Sequence, residues 1–338
     1  MKTMNLLKSA AVIAAMAMSM AACNNEDVIN DEQKSDKLVE VSLNCAGEIK
    51  DMGDVPMSRA GESNDLYYVQ AYTIDESNNG LLGYADGLFD NVSDMKIKLK
   101  ESDRYLFFAT LIQDGKSLVY ADVDSISGSS YYFSPFDSYF NNEFSYLGSF
   151  NSFNLTRGTS VTGVDEDGYF IAYDRPYQVR YYGQSEEYTP AEGGVVNINM
   201  ARVSFGARIE VENMQEGDAI WVNIEGTQGM YIGYPETTLT NCYSLFNLME
   251  AYNTDLMSDG TFANNYSENV LVSVYRFDSE NNLFKVAEKY VDFRRNMIKT
   301  LKVNITDNST ANSVNMNIDR EESWYGDPES VDFIGGIY

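Results

Sequence analysis

The chain contains no histidine. A Ser-His-Asp or Cys-His relay needs an imidazole that titrates near neutral pH, and most zinc sites draw on His or on several Cys. Neither supply exists, since only three cysteines occur in 338 residues. Positive charge is scarce as well: 24 Lys and Arg stand against 51 Asp and Glu, a formal net charge of −27. Affinity for nucleic acid comes mainly from basic contacts with phosphates, so this balance excludes unassisted nucleic-acid binding. No P-loop, GxGxxG, GxSxG or CxxC motif occurs. A glycosidase needs only two carboxylates, yet among 51 acidic residues no given pair stands out. The expectation is a protein that is not an enzyme, with no cofactor and no metal; only a cleft holding a carboxylate pair would reopen that question.

What the chain does have is 44% hydrophobic residues, 25 Tyr, 17 Phe and 24 Gly with only 6 Pro. Enough apolar surface is present to fold, and the aromatic, Gly-punctuated composition favours pleated strands over helices. Alternating or apolar runs recur at 38–43, 66–74, 95–99, 104–112, 117–123, 168–173, 176–182, 195–199, 202–211, 218–224, 270–277, 283–291, 297–305 and 313–318. Between them, Asn78-Asn79-Gly80, Asp114-Gly115, Asp167-Gly168, Glu216-Gly217 and Asn281-Asn282 have the residue types that allow positive φ in hairpins. One segment reads as a short helix, with Leu245, Leu248, Met249 and Tyr252 on one face. The breaker-rich run 183–194, ending Pro190-Ala191-Glu192-Gly193-Gly194, is the best place for a domain break. The fold class expected is all-β, two antiparallel sandwich domains in tandem, with 124–160 a long excursion from the first.

The N-terminus reads as a targeting segment. Lys2 and Lys8 precede an uncharged run of Ala, Val, Ile and Met ending at Met20, too short to span a bilayer as a mature helix. Residues 1–22 are therefore expected to be a signal peptide. Met20-Ala21-Ala22-Cys23 resembles a bacterial lipobox, in which the Cys23 thiol takes the lipid (palmitate among its chains) before cleavage. Each buried acyl CH₂ contributes about 0.8 kcal/mol, so such chains anchor a protein at a membrane without a transmembrane helix. Asn24-Asn25-Glu26-Asp27 then looks like the short acidic signals that send Bacteroidetes-type lipoproteins to the cell surface. The polar stretch 24–37 fits a flexible tether.

Two patterns carry a bland explanation beside a sharper one. Asp75-Glu76-Ser77-Asn78-Asn79-Gly80 with Asp86 loosely matches a calcium loop, but flanking strands favour a polar hairpin tip, and Asp165-Glu166-Asp167-Gly168 reads the same way. Tyr131-Tyr132-Phe133 and Tyr181-Tyr182 could stack on sugar rings, although strand cores and loops explain Tyr without a ligand.

A series of landmarks in chain order resembles the fimbrillin family, the subunits of type V pili of Bacteroidales. After the lipobox come Ser58-Arg59-Ala60, like the site where fimbrillin precursors are cut by an Arg-specific protease, and Arg104-Tyr105-Leu106-Phe107-Phe108-Ala109, like a buried strand of the family's first domain. Ala201-Arg202-Val203-Ser204-Phe205-Gly206-Ala207-Arg208-Ile209 looks like the strand opening its second domain. Arg295-Asn296 with Leu301, Val303 and Ile305 resembles its Arg-Asn turn and late strand, and Val314, Met316, Ile318 and Trp324 its closing strand and tail. The sequence departs from the pattern at Met297, where the family usually has His, and in its acidic tail; both departures bear on subunit role rather than fold.

The resemblance implies two transthyretin-like sandwiches: a signal peptide (1–22), a lipidated pro-segment with a plug strand (23–59), an N-terminal domain (60–194) and a C-terminal domain with a donor-strand tail (195–338). It implies a fimbrial subunit, exported as an outer-membrane lipoprotein precursor, cut between Arg59 and Ala60, and polymerised head-to-tail at the cell surface to support adhesion. Val39, Val41 and Leu43 would form the plug strand, and Val331, Phe333, Ile334 and Ile337 the donor strand. Partners would be neighbouring subunits, the protease and, through Cys23, the membrane before maturation; the receptor is unknown. Because Cys45 lies in the segment that cleavage removes, it is expected not to bridge to Cys242. The alternatives are an anchor or tip subunit of the same pilus, or a surface glycan-binding lipoprotein that never polymerises.

Overall fold

The computed structural model describes residues 37–48, 64–75, 77, 80–123, 128–146, 153–277, 281–305 and 314–323. Strands dominate them. In chain order they are β1 (Leu38–Gly47), β2 (Leu66–Asp75), β3 (Gly80–Phe89), β4 (Lys96–Lys100), β5 (Tyr105–Ile112), β6 (Tyr120–Val123), β7 (Ser130–Tyr132), β8 (Ser138–Tyr139), β9 (Phe144–Ser145), β10 (Ser160–Val164), β11 (Phe170–Tyr173), β12 (Arg180–Ser185), β13 (Val195–Arg202), β14 (Ser204–Glu212), β15 (Ala219–Ile224), β16 (Met230–Gly233), β17 (Thr238–Ser244), β18 (Ser267–Phe277), β19 (Leu283–Arg294), β20 (Met297–Ile305) and β21 (Val314–Ser323). The helices are short: α1 (Gly115–Leu118), α2 (Phe153–Thr156) and α3 (Leu248–Asp255). The fold is all-β.

An eight-stranded sheet has the order β4-β1-β13-β12-β5-β2-β3-β9, and two four-stranded sheets have the orders β17-β14-β20-β21 and β16-β15-β18-β19. Strands β6-β7-β8 make a small sheet within the excursion after β5, and β10-β11 form a hairpin. Pairing is antiparallel except for β1 with β13 and β14 with β20. Period-2 alternation accounts for which side chains go inside. Val41, Leu43 and Cys45 of β1 join Ile97, Leu99, Phe107, Val196, Ile198 and Met200 in one apolar cluster. The other cluster draws on both four-stranded sheets, including Phe205, Ile209, Val222, Val272, Phe293 and Leu301. Neither cluster respects a single cut in the chain. Leu66, Tyr68 and Tyr182 of the eight-stranded sheet belong with the four-stranded sheets, and Cys242 of β17 belongs with β1.

Of the run 183–194, residues 183–185 belong to β12 and the rest is a hairpin connection rather than a passage between sheets. Strands β12 and β13 on either side of it pair antiparallel, Tyr181 opposite Arg202 and Ser185 opposite Ile198. Gly193 has φ 67°, so breakers there serve a tight reversal. The chain changes sheet later, at Val203, between the end of β13 and the start of β14.

The helix also differs in detail from its expected face. Leu245 and Leu248 are buried and Tyr252 is 1% exposed, but Met249 is 42% exposed. The inward seam of α3 is Leu248, Ala251, Tyr252 and Asp255, the i, i+3, i+4, i+7 pattern of a helix lying on a core. Asp114-Gly115 opens α1 with Asp114 at φ 53°, instead of making a hairpin. Strands β3 and β17 have no counterpart among the expected runs, because Gly83, Asp86 and Gly87 in one and Thr240 and Asn241 in the other break the apolar alternation.

Candidate functional site

Strand β1 is the natural place to look for function, because it sits inside a sheet yet precedes the Arg59 landmark in sequence. Its first half pairs antiparallel with β4, Leu38 opposite Lys100 and Ser42 opposite Lys96. Its second half pairs parallel with β13, Ser42 opposite Val195 and Gly47 opposite Met200. The strand therefore bridges β4 and β13. Val39, Val41, Leu43 and Cys45 are 1%, 1%, 3% and 0% exposed, whereas Leu38 and Glu40 between them face outward. Full burial of such a side chain contributes about 1.5–3 kcal/mol, an upper figure because unfolded chains already bury some surface. Three of these four are the residues expected as the plug.

Polar contacts fix the register of that strand. Asn44 Nδ2 donates to Asn197 Oδ1 across the parallel pair at 2.9 Å, and the Ser42 and Leu43 backbone amides donate to the carbonyls of Gly194 and Met95. At the end of β1, Gly47 has φ 86°, and a Cβ there would lie 2.4 Å from Asn199 Oδ1 and 2.6 Å from the Met200 carbonyl oxygen. Only glycine fits this bend. The bend delivers Glu48, whose Oε2 accepts from the Arg202 amide at 2.7 Å and from Arg295 Nη1 at 2.6 Å.

Arg295 is the centre of a buried polar cluster. Its side chain is fully buried, as is Asp255, which accepts from Arg295 Nε, while Glu48 is 12% exposed. Arg295 Nη1 also donates to the Arg202 carbonyl, and Nη2 to the Ala263 carbonyl and Asn264 Oδ1. Arg202 donates from Nη1 to Asn296 Oδ1 and from Nε and Nη2 to the Tyr181 hydroxyl. Asp255 accepts the Asn265 and Tyr266 amides as well. One guanidinium, that of Arg295, thus meets two carboxylates out of water, an arrangement that holds only while each charge keeps its partner. Asn296, in the β19–β20 turn at φ 54°, buries its Nδ2 without a hydrogen-bond acceptor.

Sequence reading marked Arg202, Arg295 and Asn296 only as landmarks and did not single out Glu48 or Asp255. A signal existed for Asp255, which lies seven residues after Leu248 on the same helical face. Glu48 carried none, since an acidic residue after a strand is ordinary in so acidic a chain.

The two described cysteines are both buried and unbridged. Burial pushes the Cys45 thiol up to about 12 and raises that of Cys242 too, so neither presents a thiolate. In the loose calcium-loop patterns the described carboxylates accept from neighbouring amides and hydroxyls. Asp75 accepts from the Ser77 amide and hydroxyl, Asp86 accepts from the Tyr68 hydroxyl at 2.6 Å, and Asp165 accepts from the Asp167 and Tyr169 amides. Tyr181 and Tyr182 are fully buried, but Tyr131 packs edge-to-face on Tyr139, whose exposure is 48%. Cys23, Arg59, Ala60, Val331, Phe333, Ile334 and Ile337 lie outside the described residues, as do Glu76, Asn78 and Asn79.

Among solved structures the chain is similar to a candidate cell adhesion protein from Bacteroides ovatus, at 10% identity over 86% of this chain and 98% of that one, with a TM-score of 0.38. It is also similar to the fimbrial anchor protein Mfa2 from Porphyromonas gingivalis (10% identity, 85% and 99% covered, TM-score 0.37). The tip fimbrial protein Mfa3 from the same organism, with a C-terminal truncation, is another such structure (10%, 85% and 100%, TM-score 0.30). These neighbours are fimbrial and adhesion proteins of Bacteroidales. No family model matches the chain, and no curated protein matches it either.

Proposed function

We propose that the chain is a subunit of a cell-surface fimbria, exported as a lipoprotein through Cys23, matured by cleavage between Arg59 and Ala60, and polymerised when a neighbour's strand takes the place of β1. The observation that carries this reading is the position of β1, buried on one face between β4 and β13 although the Arg59 landmark follows it. Cleavage at that point would sever β1 from the rest of the chain. Its departure would leave Ile97, Leu99, Val196, Ile198 and Met200 without cover and the inner backbone groups of β4 and β13 unpaired. A sheet in that state takes up a replacement strand. A strand given to one neighbour and taken from another makes a head-to-tail contact that does not close, which yields a filament. The donor in this reading is the tail carrying Val331, Phe333, Ile334 and Ile337.

The test is the N-terminus of the protein recovered from the surface of the producing cell. A start at Ala60 fits a polymerising or tip subunit, and a lipidated Cys23 with β1 retained fits an anchor. An unprocessed Met1 start, or a start at Ala60 with no loss of β1 from the folded protein, overturns the reading.

The Tyr131–Tyr139 pair, ring centroids 4.9 Å apart with Tyr131 half-buried and Tyr139 exposed, favours a second reading: a glycan-binding surface lipoprotein. Binding of oligosaccharides that is lost in Tyr139→Ala, in a protein never recovered as fibres, would select it.

A further inference from the structure

The polar end of β1 carries an instruction about which strand can replace it. We propose that Gly47 and Glu48 pin the register of the strand in this groove, so that the preferred incoming strand has apolar residues at alternate positions followed by a glycine and then a carboxylate. This rests on the replacement of β1 proposed above and specifies the partner as a strand from a different kind of subunit, because in this chain's own tail Gly336 is followed by Ile337 and not by a carboxylate.

Apolar alternation alone does not set register. Val39, Val41, Leu43 and Cys45 repeat every two residues, so a slip by two keeps the same face buried and merely shifts which side chain meets which neighbour. A polar pin removes that degeneracy. Glu48 Oε2 lies within 2.7 Å of the Arg202 amide and 2.6 Å of Arg295 Nη1, and it reaches them only because Gly47 takes φ 86° where a Cβ would strike Asn199 and Met200.

What β1 leaves behind asks for the same chemistry. With Glu48 gone, the Arg295 guanidinium keeps one carboxylate partner of two, Asp255, and the Arg202 amide loses its acceptor. Asn296 Nδ2 is already a buried donor without an acceptor. The vacated end of the groove is therefore left with unmet donors beside the Arg295 guanidinium. A buried charge left without its partner is costly, so a strand ending in a carboxylate is favoured over one that ends in a neutral side chain. An acidic residue one position earlier or later would point to the other face.

The full-length chain is cut in place between residues 49 and 63, at Arg59 or at a protease site inserted there. Fluorescent peptides of residues 37–48 are then offered in excess: the native sequence, Glu48→Gln, Gly47→Ala and Leu43→Asp. Using peptide variants leaves the folding of the protein itself untouched. The native peptide is expected to displace the cut segment, with Glu48→Gln and Gly47→Ala binding at least tenfold more weakly and Leu43→Asp not binding. Equal binding of the native and Glu48→Gln peptides overturns the pin while leaving strand replacement standing. If no peptide enters and the cut segment never leaves, strand replacement fails and the pin fails with it.

Discussion

Among the described residues two strand pairs run parallel, β1 beside β13 and β14 beside β20; the first pair runs into the buried Arg295 cluster and the second starts from it. They are alike in burial. Val39, Val41, Leu43 and Cys45 line one, and Ile298, Leu301, Val303 and Ile305 the other, all at 4% exposure or less. They differ in what holds the register. Strand β20 starts two residues after β19, so the connection Arg295-Asn296 anchors its start to the chain although the two strands lie in different sheets. Strand β1 has no such turn, and its register rests on its own side chains: the apolar alternation, Asn44 against Asn197, the bend at Gly47 and the carboxylate of Glu48. A strand positioned by a turn belongs to its chain, whereas one positioned by side chains can be exchanged for any strand that carries the same ones.

Breaking what the two pairs share should have the largest effect. Asp255 is fully buried, pairs with Arg295 and accepts two backbone amides. Asp255→Ala leaves the Arg295 charge inside the protein with one carboxylate fewer, and should destabilise by about 3–5 kcal/mol. Urea unfolding followed by tryptophan fluorescence measures it. A loss below about 1 kcal/mol, the scale of an exposed pair, would mean that the cluster is not the joint it looks to be.

Next come paired truncations, one in each strand. Leu43→Ala and Leu301→Ala both remove a buried Leu, each at a cost of about 2–5 kcal/mol. The cost should surface in different places. If β1 opens as a separate unit, Leu43→Ala speeds hydrogen exchange of the β1 amides and leaves the global unfolding midpoint nearly unchanged, while Leu301→Ala lowers that midpoint. Equal midpoint losses would place β1 and β20 in one cooperative unit and erase the contrast.

The same difference explains what could be read from the sequence. Strands with clean alternation, such as Val39-Val41-Leu43 and Leu301-Val303-Ile305, were legible because period-2 burial writes itself into residue choice. Strand β3 was not, because its Gly83 and Gly87 interrupt the pattern; at Gly87 a Cβ would lie 2.8 Å from the Glu143 carbonyl. Residues 186–194 read as a break because Gly and Pro report a reversal of the chain, and a hairpin, as here, and a passage between sheets reverse it alike. Of the site, the apolar face of β1 was visible and its polar end was not. Glu48 and Arg295 are 247 residues apart, and one sequence contains no signal linking them.

A smaller effect is expected where β1 bends. Gly47→Ala puts a Cβ against Asn199 Oδ1 and the Met200 carbonyl at a φ that L-residues rarely adopt, which should cost about 1–3 kcal/mol. The penalty should fall on β1 alone. Mass spectrometry after brief alkylation would then find Cys45, whose thiol is otherwise covered, labelled sooner than in the native chain. Cys242 lies in the same apolar cluster and should also gain reactivity when β1 loosens, but less than Cys45. If Cys45 keeps its native rate, the bend at Gly47 does not hold β1 in place.

The smallest effect concerns the outer neighbour of β1. Strand β4 is an edge of the eight-stranded sheet, and Lys96, Lys98 and Lys100 point outward from it while Ile97 and Leu99 point in. Edge strands invite unwanted pairing, and outward lysines discourage it. Here the edge backbone is also occupied by tyrosines: the Lys98 amide donates to the Tyr146 hydroxyl at 2.9 Å, and the Lys98 carbonyl accepts from the Tyr84 hydroxyl at 2.8 Å. If the hydroxyls do the capping, Lys98→Ala should alter stability by no more than about 0.5 kcal/mol, as for an ordinary surface position. Tyr146→Phe, which leaves the Lys98 amide to water, should cost about 0.5–1.5 kcal/mol. The two variants separate charge from hydrogen bonding at the strand that must stay in place while β1 is exchanged. A larger loss in Lys98→Ala than in Tyr146→Phe would assign the integrity of that edge to its charge, and would make strand exchange at β1 depend on salt.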